Sequence, residues 1–243
     1  MKVKYLGKKN SSKILDYSPS LLDSVERLHT PSSNYYGIDY WNAYEFSYLN
    51  ASSQQKLETL EIKIPADSKI TVESKSLKIY LASFYKKKFK ASINAYQLIA
   101  KDLSKLLQSK IMVSKKNFYE EAPKAFLLNR SDAMVPKNKI IRYEGFRSIC
   151  PVTSQPDWAN IYIHSSSNAL DAKKIIKLLK SFKERGDFHE ACIDSIFSSL
   201  MHDFHINDLT VCGRFLRRGG IDINPIRSSK KKILFNNFRD FNQ

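Results

Sequence analysis

The sequence predicts an α+β fold built as two tandem modules, each with an antiparallel sheet carrying its helices on one face. Three observations lead there. Several short stretches alternate apolar and polar residues, the period of a half-buried strand. Two longer stretches, one in each half, repeat apolar residues at helical spacing. The order of strands, helical material and then strands occurs twice along the 243 residues, which suits helices gathered on one face of an antiparallel sheet.

In chain order, residues 1–40 read as a polar, Ser- and Tyr-rich extension, with a turn at Tyr17–Leu22 and a short helix over Leu21–Leu28. Tyr44, Phe46 and Tyr48 alternate with polar neighbours and predict a strand over 42–50. Leu60, Ile62 and Ile64 predict a second strand that stops at Pro65. Ile70-Thr71-Val72 leads through Glu73 into helical material. Tyr96, Ile99, Leu103 and Leu106 share one face of a helix over Ser92–Gln108, and residues 110–114 form a third strand. Pattern is lost over 117–139, where Pro123, Pro136 and the cluster Asn129-Arg130-Ser131-Asp132 mark a linker between a module at 1–116 and a module at 140–243.

In the second module, 140–150 reads as a strand with Phe146, Ser148 and Cys150 on one face, and 160–164 as another. Asp171 can cap a helix carrying Ile175, Leu178, Leu179 and Phe182 that Gly186 ends. Ile193, Ile196, Phe197 and Leu200 face inward from a helix over His189–Phe204. Leu209, Val211 and Phe215 mark the strand that leads into Arg217-Arg218-Gly219-Gly220.

Composition narrows the function. A hydrophobic content of 42% with 12% aromatics suffices for a real core, and no apolar run reaches membrane-span length. Met1–Lys9 lacks the apolar centre of a signal peptide, and three widely spaced cysteines suggest no disulfide framework, so a reducing cytoplasm is expected. The net charge of +16, from 40 basic and 24 acidic residues, invites nucleic acid as a partner. The lysines are nevertheless scattered, with short runs only at 86–88 and 230–232, and no zinc-finger or RNP-like pattern accompanies them. Direct nucleic-acid binding is not the expected function.

Four stretches are dense in functional groups. In Arg147–Trp158, Cys150 and Asp157 flank a proline-bounded bend; a thiolate can attack a polar multiple bond while an acid supplies the proton. A core cysteine followed by a solvated loop acid fits the same residues. In Phe188-His189-Glu190, a carboxylate in the first turn of a helix either answers the helix dipole or accepts from an N–H-rich planar ligand on which Phe188 stacks. In Val72-Glu73-Ser74-Lys75-Ser76, a strand-to-helix junction can receive phosphate on its amides and lysine, or simply cap the helix. In Arg217–Ser228, glycines beside arginines let the backbone approach an anion, or form an ordinary turn. GxGxxG and P-loop patterns are absent, and the histidines and cysteines lack zinc spacing, so no metal is expected.

Taken together, Glu73-Ser74-Lys75-Ser76 with Lys78, Cys150 with Gln155-Pro156-Asp157-Trp158, Phe188-His189-Glu190 and Arg217-Arg218-Gly219-Gly220 through Asn224-Pro225 resemble the 7-cyano-7-deazaguanine reductase family, the nitrile reductases of queuosine biosynthesis. Tyr44-Glu45, Tyr48-Leu49-Asn50 and Ser20-Leu21-Leu22 resemble its long, two-module form, although the chain is shorter near 30–40 and 115–140 and more basic. The resemblance implies tunnelling-fold modules of ββααββ type and NADPH-dependent reduction of a nitrile to an amine. It implies Cys150 as nucleophile forming a thioimide, Asp157 as proton donor and His189 as proton-transfer aid and cover. It further implies Val72, Glu73, Ser74, Phe188, His189 and Glu190 around the deazaguanine, and Ser74, Lys75, Arg218 and Gly219 against NADPH. The expected assembly is a homodimer. The competing readings are a tunnelling-fold hydrolase of GTP cyclohydrolase type, which needs zinc, and a non-catalytic purine- or RNA-binding protein.

Overall fold

The computed structural model describes residues 16–27, 35–128, 134–241 and 243. It divides into two compact units, Met1–Arg27 with Tyr40–Phe118 and Arg217–Asp222, and Leu28–Asp39 with Tyr119–Leu216 and Ile223–Gln243. The Asn129–Asp132 cluster lies outside the described residues.

The first unit contains β1 (Ser24–Glu26), β2 (Tyr36–Leu49, which enters it at Tyr40), β3 (Gln55–Pro65), β4 (Ile70–Val72), α1 (Ser74–Ala82), α2 (Ser92–Leu107) and β5 (Met112–Lys115). β3 is bonded to β2 on one side and antiparallel to β5 on the other. Asn50 closes the β2–β3 turn by accepting from the amides of Ser52 and Gln54. Phe46, Tyr48, Leu60, Ile62, Leu77, Tyr80, Phe84, Ile99 and Leu103 are buried. A fully buried side chain of this size contributes about 1.5–3 kcal/mol.

The expected helix over Leu21–Leu28 does not form. Pro19–Leu21 is one 3₁₀ turn, capped by Ser18, whose hydroxyl accepts from the amide of Ser20. The chain then extends as β1, antiparallel to β4, with Ser24 opposite Val72. Leu21, Leu22 and Val25 are all buried, which is what mimicked a helical face; Leu28 lies outside the described residues. In α2 the buried positions are Ala95, Tyr96, Ile99, Leu103 and Leu107, with Leu106 only half-buried.

The second unit holds β6 (Phe126–Leu127), β7 (Met134–Val135), β8 (Ile140–Ile149), β9 (Pro156–His164), β10 (Leu170–Asp171), α3 (Ala172–Lys180), α4 (His189–His202), β11 (Thr210–Phe215) and most of β12 (Ile221–Ser228). Its sheet order is β12-β11-β9-β8-β6, antiparallel except between β6 and β8. Phe146, Ile161, Ile163, Val211 and Phe215 from the strands meet Ile175, Leu179, Ile193, Ile196 and Leu200 from the helices in one core. Asp171 caps α3 as expected, accepting from the amide of Lys174. The helix stops at Ser181, however, before Gly186, which instead bridges to Ile149. Among the described residues no helix is long and apolar enough to cross a membrane.

Candidate active site

β8 and β9 form a hairpin whose register sets Ser148 opposite Asp157 and Ile149 opposite Pro156. The Cys150 amide donates to the Gln155 carbonyl at 2.8 Å, and the Ser154 amide donates to the Cys150 carbonyl at 3.0 Å. The loop is thus tied at its foot by Cys150, with Ser154 at a φ of 55°. Side chains alternate along a strand, so Ser148 and Asp157 share one face of the hairpin, and Cys150 follows directly after β8. Cys150 is half-buried and Asp157 is 4% exposed. Asp157 is therefore a buried strand residue rather than the solvated loop acid of the competing reading, because β9 starts at Pro156. Proline suits that place, since the first residue of a strand can go without a ladder N–H.

α4 begins beside this hairpin. Phe188 is its extended N-cap, and Glu190, 5% exposed, sits in the first turn where the dipole favours a carboxylate. His189 Nε2 lies 3.4 Å from Asp157 Oδ2. The imidazole stacks on Phe215, with ring centroids 3.9 Å apart. Cys192, one turn further along α4, is fully buried, and burial pushes its thiol up to about 12. The half-buried thiol just past β8 and the buried carboxyl with an imidazole 3.4 Å from it are the groups that nucleophilic attack coupled to proton delivery needs.

The other predicted residues lie in the first unit. Val72 ends β4, and Glu73, 2% exposed, caps α1. Its carboxylate accepts from the amides of Lys75 at 2.7 Å and Ser76 at 2.8 Å. Of the two readings of this junction, phosphate binding on the amides or helix capping, the structure shows the cap: both amides are occupied by the protein's own anion. Ser74, Lys75 and Lys78 are half-buried on α1.

Arg218–Ile221 forms a tight turn, with the Arg218 amide donating to Ile221 at 2.9 Å. Gly219 and Gly220 have φ of +57° and +78°, as a primed hairpin turn requires. A Cβ on Gly219 would stand 3.2 Å from Lys78 Nζ, so the bare backbone lies open to that ammonium. A Cβ on Gly220 would come within 2.6 Å of the Glu45 carboxyl carbon. Lys75, Lys78, Arg217 and Arg218 supply donors suited to the phosphates of a dinucleotide, and the glycine backbone allows close approach. The residues present fit NADPH. Reading the sequence missed the Gly219–Lys78 and Phe215–His189 contacts, which join positions far apart in the chain.

A surface cavity of about 400 Å³, bounded by Tyr48, Glu58, Phe89, Lys90, Ser92 and Lys115 among others, contains none of the predicted site residues. Among the described residues no group of three or more His, Cys, Asp or Glu is placed to hold a metal ion.

Comparison with known proteins assigns both parts. Residues 15–115 match the family described as "Nitrile reductase, 7-cyano-7-deazaguanine-reductase N-term", and residues 156–233 match "QueF-like protein". An NADPH-dependent 7-cyano-7-deazaguanine reductase of Coxiella burnetii (strain Dugway 5J108-111) is 33% identical over 94% of this chain and 92% of its own length. Proteins of the same name from Hahella chejuensis and Teredinibacter turnerae are 32% and 33% identical, each over 88% of this chain and over 89% and 87% of their own lengths. The chain belongs to the family of the NADPH-dependent 7-cyano-7-deazaguanine reductases.

Proposed function

We propose that the chain reduces the nitrile of 7-cyano-7-deazaguanine to the primary amine of 7-aminomethyl-7-deazaguanine through a covalent thioimide on Cys150. The observation that carries this reading is the β8–β9 hairpin, which sets Asp157 opposite Ser148, two residues before Cys150, with His189 Nε2 3.4 Å from the acid. Cys150 Sγ adds to the nitrile carbon while the nitrogen takes a proton from Asp157, so one C–S bond forms as one C–N π bond is lost. A soft sulfur nucleophile coupled to an acid suits this weak electrophile. Two NADPH molecules, bound in turn, would each supply one of the two hydrides that the reduction consumes. Cys150 departs as thiolate when the first reduced adduct opens to an imine, and is then free for the next turnover. His189 passes protons to Asp157 and covers the substrate.

Phe188 stacks on the ring, and Glu190 and Glu73, with Val72 and Ser74, hold its donor-rich edge, as carboxylates do in base recognition. Ser74, Lys75, Arg218 and Gly219 receive NADPH. The same reading divides the chain into modules at 1–116 and 140–243 joined by 117–139. It places the protein as a cytoplasmic homodimer that acts on a free base in queuosine biosynthesis for tRNA, without itself binding nucleic acid.

The test is NADPH oxidation with the cyano-deazaguanine. Cys150→Ala abolishes it, and Asp157→Asn lowers it about a hundredfold or more. Unchanged turnover in Cys150→Ala contradicts the reading.

A further inference from the structure

Arg217, counted above among the donors suited to phosphate, has no assigned position on the cofactor, but its seat in the fold is defined. Its guanidinium carbon lies 4.9 Å from the centre of the Tyr44 ring. Tyr44 is itself fixed at both ends. Its amide donates to the Gly220 carbonyl at 2.9 Å, and its hydroxyl donates to Asp222. Asp222 is 1% exposed and also accepts from Asn42 Nδ2 at 2.7 Å. A buried carboxylate thus locks the tyrosine, and the tyrosine face supports the arginine. Arg217 nevertheless remains exposed, unlike its half-buried neighbour Arg218.

A guanidinium stacked on an aromatic face keeps its N–H edge free and already oriented, so a planar, bidentate grip on phosphate costs little further ordering. The turn beside it presents Gly219 to Lys78. With Lys75 on the same helix, the cofactor residues already assigned account for one cluster of phosphate charge, and Arg217 stands as an additional, separately anchored cation. NADPH differs from NADH by one phosphomonoester on the adenosine ribose, a dianion near neutral pH.

Resting on the NADPH reading of this turn, we propose that Arg217, held by Tyr44, is the specificity residue that grips that ribose phosphomonoester and so sets the preference for NADPH over NADH. Arg217→Gln removes the charge at an exposed position, and its thermal melt matches that of the unaltered protein. Binding is measured by calorimetry with two probes, adenosine 2′,5′-bisphosphate and adenosine 5′-monophosphate, which differ only in the 2′-phosphate. The unaltered protein binds the 2′,5′-bisphosphate more tightly. In Arg217→Gln that affinity falls about tenfold or more while 5′-monophosphate binding is retained, the loss expected of a charged hydrogen-bonding pair. The ratio of kcat/KM for NADPH to that for NADH falls in parallel. Tyr44→Leu, which removes the supporting ring, shifts selectivity in the same direction, and Tyr44→Phe, which keeps the ring, shifts it less.

Equal weakening of both probes, or no change in either, overturns the proposal while leaving the reductase reading intact. An unaltered protein that binds neither probe overturns the proposal together with the cofactor reading of the turn.

Discussion

The imidazole of His189 lies flat on the ring of Phe215, with the two planes 4° from parallel. Phe215 is fixed on its own side: its amide donates to Asn224 Oδ1 at 3.1 Å, and its carbonyl accepts from Gln243 Nε2 at 2.8 Å. Phe146 meets its edge at 6.1 Å, and a Cβ at Gly213 would come within 2.8 Å of its ring. His189 Nδ1 is buried and has no hydrogen-bond partner among the described residues. Packing on Phe215 and proximity to Asp157 therefore set the plane of the imidazole. Phe215→Leu and Phe146→Leu each destabilise the second unit by on the order of 1–2 kcal/mol. Phe215→Leu alone also lowers turnover, by about tenfold, because only it releases His189. Parallel steady-state assays and thermal melts of the two variants check this; equal losses of turnover contradict it.

Thiol chemistry separates the three cysteines. Cys150 is half-buried, whereas burial pushes Cys192 and Cys212 up to about 12 each. Under native conditions at pH 8, iodoacetamide labels Cys150 and leaves the other two unmodified until denaturant is added, as peptide mass mapping will show. The raised values also fix a sign. The unfolded chain ionises these thiols near their ordinary value of 9.0 while the native protein keeps the protons. Their contribution to stability is thus complete below that value and is lost as pH rises towards about 12. Urea midpoints fall between pH 8 and pH 11, and the fall is shallower in Cys212→Ala.

Glu73 has a helix to hold as well as a proposed ligand. Its two oxygens take the amides of Lys75 and Ser76, so Glu73→Ala costs about 0.5–2 kcal/mol through the lost cap. Denaturation curves measure that term separately from the loss of nitrile binding.

Arg227 anchors the helix that carries His189 and Glu190. Its guanidinium, fully buried, donates to Asp39 Oδ1 at 2.7 Å and to Asp194 Oδ1, on α4, at 2.5 Å. Burial works against its charge, but the Asp39 and Asp194 carboxylates outweigh it and hold its pKa above the ordinary value. Asp194→Asn leaves part of that charge uncompensated and destabilises the protein by about 3–5 kcal/mol. Replacing Asp39, Asp194 and Arg227 together by apolar residues of similar volume costs far less, which chemical denaturation distinguishes.

The α+β class and the helices α2 and α4 were legible because local periodicity decides them, whereas the tunnelling-fold type of the modules came from the family resemblance. Leu21, Leu22 and Val25 misled because burial at near-helical spacing is indifferent to whether the backbone bonds to itself or to β4. Gly186 misled because a glycine after an apolar stripe signals a helix end, while Ser181 already supplies it. At the site, Cys150, Asp157, His189 and Glu190 stand out by residue type and order along the chain. The burial of Asp157, the Phe215 stack and the seat of Arg217 on Tyr44 depend on residues brought together only by folding, and no local pattern announces them.

The central claim is covalent catalysis by Cys150, and intact-protein mass spectrometry tests it without any turnover. Protein mixed with 7-cyano-7-deazaguanine in the absence of NADPH gains the whole mass of the nitrile, since addition expels nothing. Peptide mapping places the gain on Cys150, and Cys150→Ala shows none. An unmodified Cys150 under saturating nitrile contradicts the account.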